Sequence, residues 1–234
     1  MTTETKQCQN CGDRFDFEPF EINGRRVFEP SYCDQCAETL SQQAEHDAVS
    51  RAKDAAKNRF WSEIPPIYRN SDFRAFSPNL QKIISEYHPT TTNMGVGIVG
   101  ASGERKTRAA VLLLEKAANQ GPASTTMFLP SSEFNRIIAD QFSDDQKRKS
   151  KAEEALDRAY GCCFLLLDDL GKGRMTDRAE AELYNLLESR TAWAKPIIWT
   201  SNSNARQLHG MFTPDRADAI LRRLTEFSTI VNPK

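Results

Sequence analysis

No stretch of this chain is apolar for long. Its strongest hydrophobic runs, Val111–Leu114 and Cys162–Leu167, are far too short to cross a bilayer, and no membrane contact is expected. Charge of one sign is missing too: 31 Lys and Arg against 32 Asp and Glu leave a formal net charge of −1. That excludes a global basic field, so any contact with nucleic acid must be local or shared with a partner. The N-terminal MTTETKQCQN is polar and has no secretory signal layout, which points to a reducing, cytoplasmic compartment. There is no internal repeat and no low-complexity tract. What remains is a water-compatible chain with mean hydropathy −0.59. Its 234 residues suffice for one good core plus a small appendage.

The six cysteines divide cleanly. Cys162 and Cys163 lie in an apolar run and read as inert core residues. Cys8, Cys11, Cys33 and Cys36 form two C-x-x-C pairs separated by 21 residues. Each pair places two thiolates on one side of a tight turn, and two pairs give a tetrahedral sulfur site that suits Zn²⁺. The intervening RFDFEPFEINGRRVFEPSY carries Asn23-Gly24, a hairpin turn signal between strand-prone residues. The layout is that of a zinc ribbon over residues 1–36, with the metal supplying folding energy that so small a core lacks. Two disulfides or a redox pair are the alternatives. Such a ribbon binds nucleic acid, binds protein, or braces a neighbour.

Residues 100–107, GASGERKT, match the phosphate-binding loop G-x-x-x-x-G-K-[ST] except at one position. Gly100, Lys106 and Thr107 fit, and Gly103 supplies an inner glycine. GVGIV before the loop reads as a buried strand and RAAVLLLEKAAN after it as a packed helix. The loop residues Gly100, Ala101, Ser102, Gly103, Glu104, Arg105, Lys106 and Thr107, with Arg108 following, are the expected cradle for the phosphates of ATP or ADP. Lys106 would reach the terminal phosphates and the Thr107 hydroxyl would hold Mg²⁺. The departure is Arg105, which stands where the second glycine belongs. Its Cβ crowds the turn. Three outcomes stay open: φ there is near helical and the loop tolerates it, nucleotide binding is weakened and hydrolysis slow, or the guanidinium adds a phosphate contact.

Downstream, the apolar FLLL ends in Asp168-Asp169. This is a Walker B arrangement, with Asp168 acting on Mg²⁺ through water and Asp169 at the position of the catalytic carboxylate. The strand PIIWT ends in Ser201-Asn202, and strand C-termini line the ligand crevice of a parallel sheet. Asn202 is the candidate γ-phosphate sensor, with Ser201 next. In AILRRLTEF, Arg222 and Arg223 either face water or include an arginine finger for a neighbouring subunit, Arg223 first and Arg222 as fallback. The short stretch after the last expected strand leaves no room for a substantial helical lid, which raises the importance of an arginine supplied in trans.

The pattern organises the chain. A polar helix with a thin, Ala-rich face spans 37–62 as a linker. IPPIYRNSDFRAF (64–76) reads as an extended lead-in. From residue 95 onward strands and helices alternate, which implies a parallel sheet with helices on both faces. Ser131 or Ser132 is the expected cap of a helix, and DDQKRKSK (144–151) reads as an exposed loop before a helix near 152–159.

The ordered set FWSEIPPIYRNSDF (60–73), GASGERKT, FLLLDDLGKG (164–173), LYNLLESR…KPIIWTSN (183–202) and AILRRL (219–224) resembles the DnaC/DnaI-type replicative helicase loaders and the related IstB-type transposition ATPases. The resemblance covers about residues 60–232. It implies a P-loop AAA+ core of five parallel strands over 63–234, ATPase activity, and self-association into ATP-dependent open oligomers. It also implies binding to a hexameric replicative helicase or a transposase, and contact with single-stranded DNA. The ribbon and its helix look like the partner-binding module of some loaders. A non-hydrolysing, zinc-bearing adaptor of the same fold is the reading from a different class.

Overall fold

The structure, a computed structural model, describes residues 3–22, 25–89, 94–120 and 125–234. The chain divides into two compact units, Met1–Asp54 and Ala55–Lys234.

The first unit is built from two antiparallel hairpins. Strand β1 (Glu4–Gln7) pairs with β2 (Arg14–Phe17), and β3 (Phe20–Ile22) pairs with β4 (Arg25–Phe28). The expected Asn23-Gly24 turn lies outside the described residues, but the strands on either side of it pair as that signal requires, Ile22 opposite Arg25 and Glu21 opposite Arg26, before the register shifts to put Phe20 opposite Phe28. Ion pairs from Lys6 to Glu29 (2.9 Å) and from Arg26 to Glu4 (2.6 Å) sew the hairpins together. The first knuckle closes through Gly12, at φ 81°, whose N–H donates to the Cys8 carbonyl at 3.0 Å. Helix α1 (Asp34–Glu63) starts inside the second knuckle.

In the second unit the lead-in is helical rather than extended. It forms α2 (Pro66–Arg69), a 3₁₀ turn (Phe73–Ala75) and α3 (Pro78–Glu86). Pro66 and Pro78 open their helices at positions where a missing N–H costs nothing, so the prolines start turns here rather than hold the chain straight. Next come β5 (Gly95–Val99), α4 (Lys106–Ala118), β6 (Thr126–Pro130) and α5 (Ser131–Asp140). Neither serine caps α5, which begins at Ser131 itself directly after Pro130. The supposed loop 144–151 is mostly the start of α6 (Gln146–Gly161). Asp145 caps it by accepting from the Lys147 and Arg148 amides, and Arg148 reaches back to buried Asp140 at 2.7 Å. Good helix formers plus a cap outweigh the missing apolar period.

The remaining elements are β7 (Phe164–Asp168), α7 (Asp177–Ala192), β8 (Ile197–Ser201), α8 (Ala205–His209), α9 (Pro214–Glu226) and β9 (Ser228–Val231). The five strands form one parallel sheet in the order β6-β7-β8-β5-β9, as expected.

Period-2 alternation divides the core. Leu165, Leu167, Ile197 and Trp199 pack with α5, α6, α7 and α9, while Val96, Ile98, Leu166 and Ile198 pack with α3 and α4. Trp199 lies across β5 at Gly97, where an added Cβ would sit 2.5 Å from the indole ring. Its Nε1 donates to the Leu224 carbonyl and the Ser228 hydroxyl. Two glycines in GVGIV therefore serve close strand packing. Among the described residues no helix is long and apolar enough to cross a membrane.

Candidate nucleotide site and metal centre

Because β5, β7 and β8 are parallel neighbours, their C-terminal ends share one edge of the sheet, and the residues singled out in three distant segments meet there. The loop after β5 turns through Gly103 (φ 86°) and enters α4 through Arg105, at φ 58° and ψ 22°. The backbone at Arg105 is left-handed, not near right-handed helical. The loop keeps the conformation a glycine would adopt and imposes it on an arginine.

Lys106 is 6% exposed. Its Nζ donates to the Ala101 carbonyl at 2.7 Å and to Asn202 Oδ1 at 2.6 Å. Burial pulls the ammonium below its usual value, and the carboxylates of Glu104, Asp169 and Asp168 work against that pull. The Asn202 amide passes the contact on: its Nδ2 donates to Asp169 Oδ1 at 2.7 Å. The other Asp169 oxygen pairs with Lys172 at 3.0 Å. Asp169 is itself left-handed, φ 61°. Of three non-glycine residues with positive φ among those described, two therefore lie in this site, which is where backbone strain tends to be kept.

Asp168, 6% exposed, ends β7. Its Oδ1 accepts from the Thr107 hydroxyl at 2.8 Å and the Thr200 hydroxyl at 2.7 Å. Burial pushes its carboxyl above the ordinary range, and the two hydroxyl bonds only partly offset this. Such a group is relieved by a cation. One threonine hydroxyl and one carboxylate are hard oxygen donors of the kind Mg²⁺ takes, so the residues fit that ion.

Ser201 is fully buried and donates to the Leu170 carbonyl at 2.7 Å, a bracing role. Ala101, Ser102 and Arg105 are exposed, and Glu104 and Arg108 half-buried. Arg223 is tied within its own chain. It forms an ion pair with Glu188, lies 4.8 Å over the Tyr184 ring, and keeps 10% side-chain exposure. Arg222 is 67% exposed and meets Glu226 at 3.8 Å.

Two residues here escaped the sequence reading. Thr200 bonds Asp168 and also accepts from the Asp169 amide at 2.9 Å. Alternation with Ile198 already placed it on the α4 face of the sheet. Lys172 reaches Asp169 from between Gly171 and Gly173, both with positive φ.

In the first unit the four Sγ atoms of Cys8, Cys11, Cys33 and Cys36 lie within 4.8 Å of one another. The Cys11–Cys33 separation is 3.9 Å, close to the edge of about 3.8 Å expected of a tetrahedron with Zn–S bonds of about 2.3 Å. Asn10 Nδ2 donates to Cys36 Sγ at 3.5 Å, a contact that suits a thiolate. The donor set fits zinc.

No protein-family model and no curated protein matches the sequence. Solved structures do match. A crystal structure of DnaI is similar over 74% of this chain and 89% of its own, with TM-score 0.55 and 21% identity. A crystal structure of the DnaC helicase loader is similar over 73% of this chain and 100% of its own, with TM-score 0.55 and 17% identity. AMPPCP-bound DnaA from Aquifex aeolicus aligns over 66% of this chain, with TM-score 0.52 and 18% identity. The chain spans only 44% of that DnaA. The second unit shares the fold of these DnaI, DnaC and DnaA structures. The loop after β5 is the segment that matches the phosphate-binding (Walker A) pattern, and the end of β7 carries the Asp168-Asp169 pair expected of a Walker B strand.

Proposed function

We propose that this chain is an ATP-binding AAA+ protein of the helicase-loader type, which uses ATP binding and hydrolysis to control a hexameric helicase on single-stranded DNA. The observation that carries the nucleotide reading is the chain of contacts from Ala101 through Lys106 and Asn202 to Asp169, beside the Thr107–Asp168 bond.

Walker A amides and the α4 N-terminus present positive potential to phosphate oxygens. Lys106, now held by neutral partners and buried, gains a full counter-charge when a phosphate arrives. Asn202 is then released from Lys106 and can orient water with Asp169, whose carboxylate accepts its proton. Thr107 and Asp168 would hold Mg²⁺, which neutralises charge on the β- and γ-phosphates. Hydrolysis rests on a second subunit for its arginine finger. Arg222, solvent-facing, is better placed to reach across than Arg223, which must first leave Glu188.

The replication partners rest on likeness. Beside the DnaC helicase loader stands the replication initiator DnaA bound to AMPPCP and single-stranded DNA, TM-score 0.52 at 17% identity. The ribbon of residues 1–36, joined through the helix over 37–62, serves as the docking arm for the partner. A non-hydrolysing adaptor is the second reading, favoured by the strained Arg105 and by an Asp169 with both oxygens engaged.

Titration with Mg²⁺-ATP and a turnover assay test the proposal on wild type, Lys106→Ala and Asp169→Asn. Binding lost in the first variant, and turnover alone lost in the second, are expected. Wild-type chain that binds no nucleotide overturns the reading. Wild type that binds ATP without turnover, even with helicase and single-stranded DNA present, selects the adaptor. Co-purification with a replicative helicase but not a transposase separates the loader from the IstB-type alternative.

A further inference from the structure

The turn that leads from the phosphate loop into α4 carries two guanidiniums that the free chain leaves idle. Arg105 stands at φ 58°, a conformation its Cβ disfavours. Arg108 sits in the first turn of α4, where the helix end is positive and a cation is disfavoured. Neither side chain has a hydrogen bond or ion pair among the described residues. Every other cation of the site is engaged: Lys106 with Ala101 and Asn202, Lys172 with Asp169. Glu104, by contrast, has a buried Oε2 with no partner and an Oε1 only 3.7 Å from the Lys234 ammonium.

Charge balance gives the idle pair a purpose. Lys106, Lys172 and Lys234 face Glu104, Asp168 and Asp169, so without the arginines the site is neutral and offers a polyphosphate no net attraction. With them it is net positive. Arg108 shares the electrostatic surroundings of Asp168, Asp169 and Lys172 at Tyr68. Burial pushes the Tyr68 phenol up, Asp168 and Asp169 push it further, and Lys172 and Arg108 oppose them. Arg105 immediately precedes α4 and Arg108 lies in its first turn, so both stand at the same helix end.

We propose that Arg105 and Arg108 form a guanidinium pair that grips the triphosphate, with Arg105 on the terminal phosphoryl group, so that the loop itself distinguishes ATP from ADP. The inference rests on the nucleotide-binding reading above. Arg105 follows Glu104 and precedes Lys106, the residue aimed at the terminal phosphates, and a planar fork holds phosphate oxygens two at a time. The backbone strain at Arg105 is then kept for binding rather than for folding.

Calorimetric titration with ATP and with ADP, and thermal unfolding without nucleotide, test this on Arg105→Gly, Arg105→Lys and Arg108→Ala. Arg105→Gly should unfold at a higher temperature than wild type, because glycine accepts the left-handed turn. It should nevertheless bind ATP about tenfold more weakly or worse, with ADP changed less than about threefold. Arg105→Lys should recover part of the ATP affinity. Arg108→Ala should weaken both nucleotides alike, and no change at either removes Arg108 from the pair. Arg105→Gly that binds ATP as tightly as wild type, or loses ATP and ADP equally, overturns the assignment of Arg105. If Lys106→Ala abolishes binding while all three arginine variants leave it intact, only this inference fails. If wild type binds neither nucleotide, the site reading fails with it.

Discussion

The Thr107 hydroxyl donates to Asp168 Oδ1 across 2.8 Å, joining the end of the phosphate loop to the end of β7. Asp168 is buried and its carboxyl is pushed up mainly by that burial. A raised folded-state pKa means the native chain is more stable when the group is protonated, and that this stability is lost as pH rises through the folded value. Asp168→Asn removes the charge and keeps an oxygen for the Thr107 and Thr200 hydroxyls. The variant should therefore unfold at a higher temperature than nucleotide-free wild type at neutral pH, by about 2–4 °C for each kcal/mol relieved. The difference should shrink toward acid pH, where wild type takes up its proton. Mg²⁺-dependent turnover should disappear. Thermal scans across pH, with a turnover assay, check all three; a variant less stable than wild type at every pH contradicts the account.

The Cys8, Cys11, Cys33 and Cys36 cluster should carry one Zn²⁺ per chain, read by elemental analysis of the purified protein. Strong chelation or Cys8→Ser should unfold the hairpins of the first unit. Nucleotide affinity should stay within about twofold, because the second unit, Ala55–Lys234, has a core of its own. Protein free of zinc that keeps both hairpins would argue against a metal-built ribbon.

Arg222 and Arg223 should separate stability from catalysis. Arg222, exposed, should cost little stability on change to Ala. If it is the finger reaching a neighbouring subunit, turnover should fall by roughly 10³–10⁵ with nucleotide affinity kept. Arg223→Ala strands Glu188 and uncovers Tyr184, for about 1–2 kcal/mol of destabilisation. ATPase rate measured against protein concentration provides the check. Specific activity that stays flat on dilution of a strictly monomeric protein rules out any finger in trans.

Gly97→Ala should be among the more damaging single-methyl changes. The new Cβ would meet the Trp199 ring at 2.5 Å and Ile230 Cδ1 at 2.8 Å, inside a sheet that cannot spread. Overpacking of this kind costs about 1–3 kcal/mol. Denaturant unfolding reads the loss directly, and paired Trp199→Phe should return part of it by shrinking the ring.

Local chemistry made much of this protein legible from its residues alone. The C-x-x-C pairs, the GASGERKT loop and the Asp168-Asp169 strand end each need only a few neighbouring positions. The alternation of strand and helix follows from periodicity, which acts over one element at a time. Where local signals compete, residue composition misled. The prolines of 64–76 start helices, and Asp145 starts one where charge suggested a loop. The contacts that unite the site were decided by tertiary structure. Lys106 and Asn202 are 96 residues apart, and Asn202 and Asp169 are 33 apart. Thr200 was invisible as a site residue because its partner is on another strand. These groups meet only because β5, β7 and β8 are parallel and adjacent, so that their C-terminal ends open on one edge. Whether Arg105 sits helical or left-handed was likewise set by the path of the loop between that edge and α4, which no short window of sequence contains.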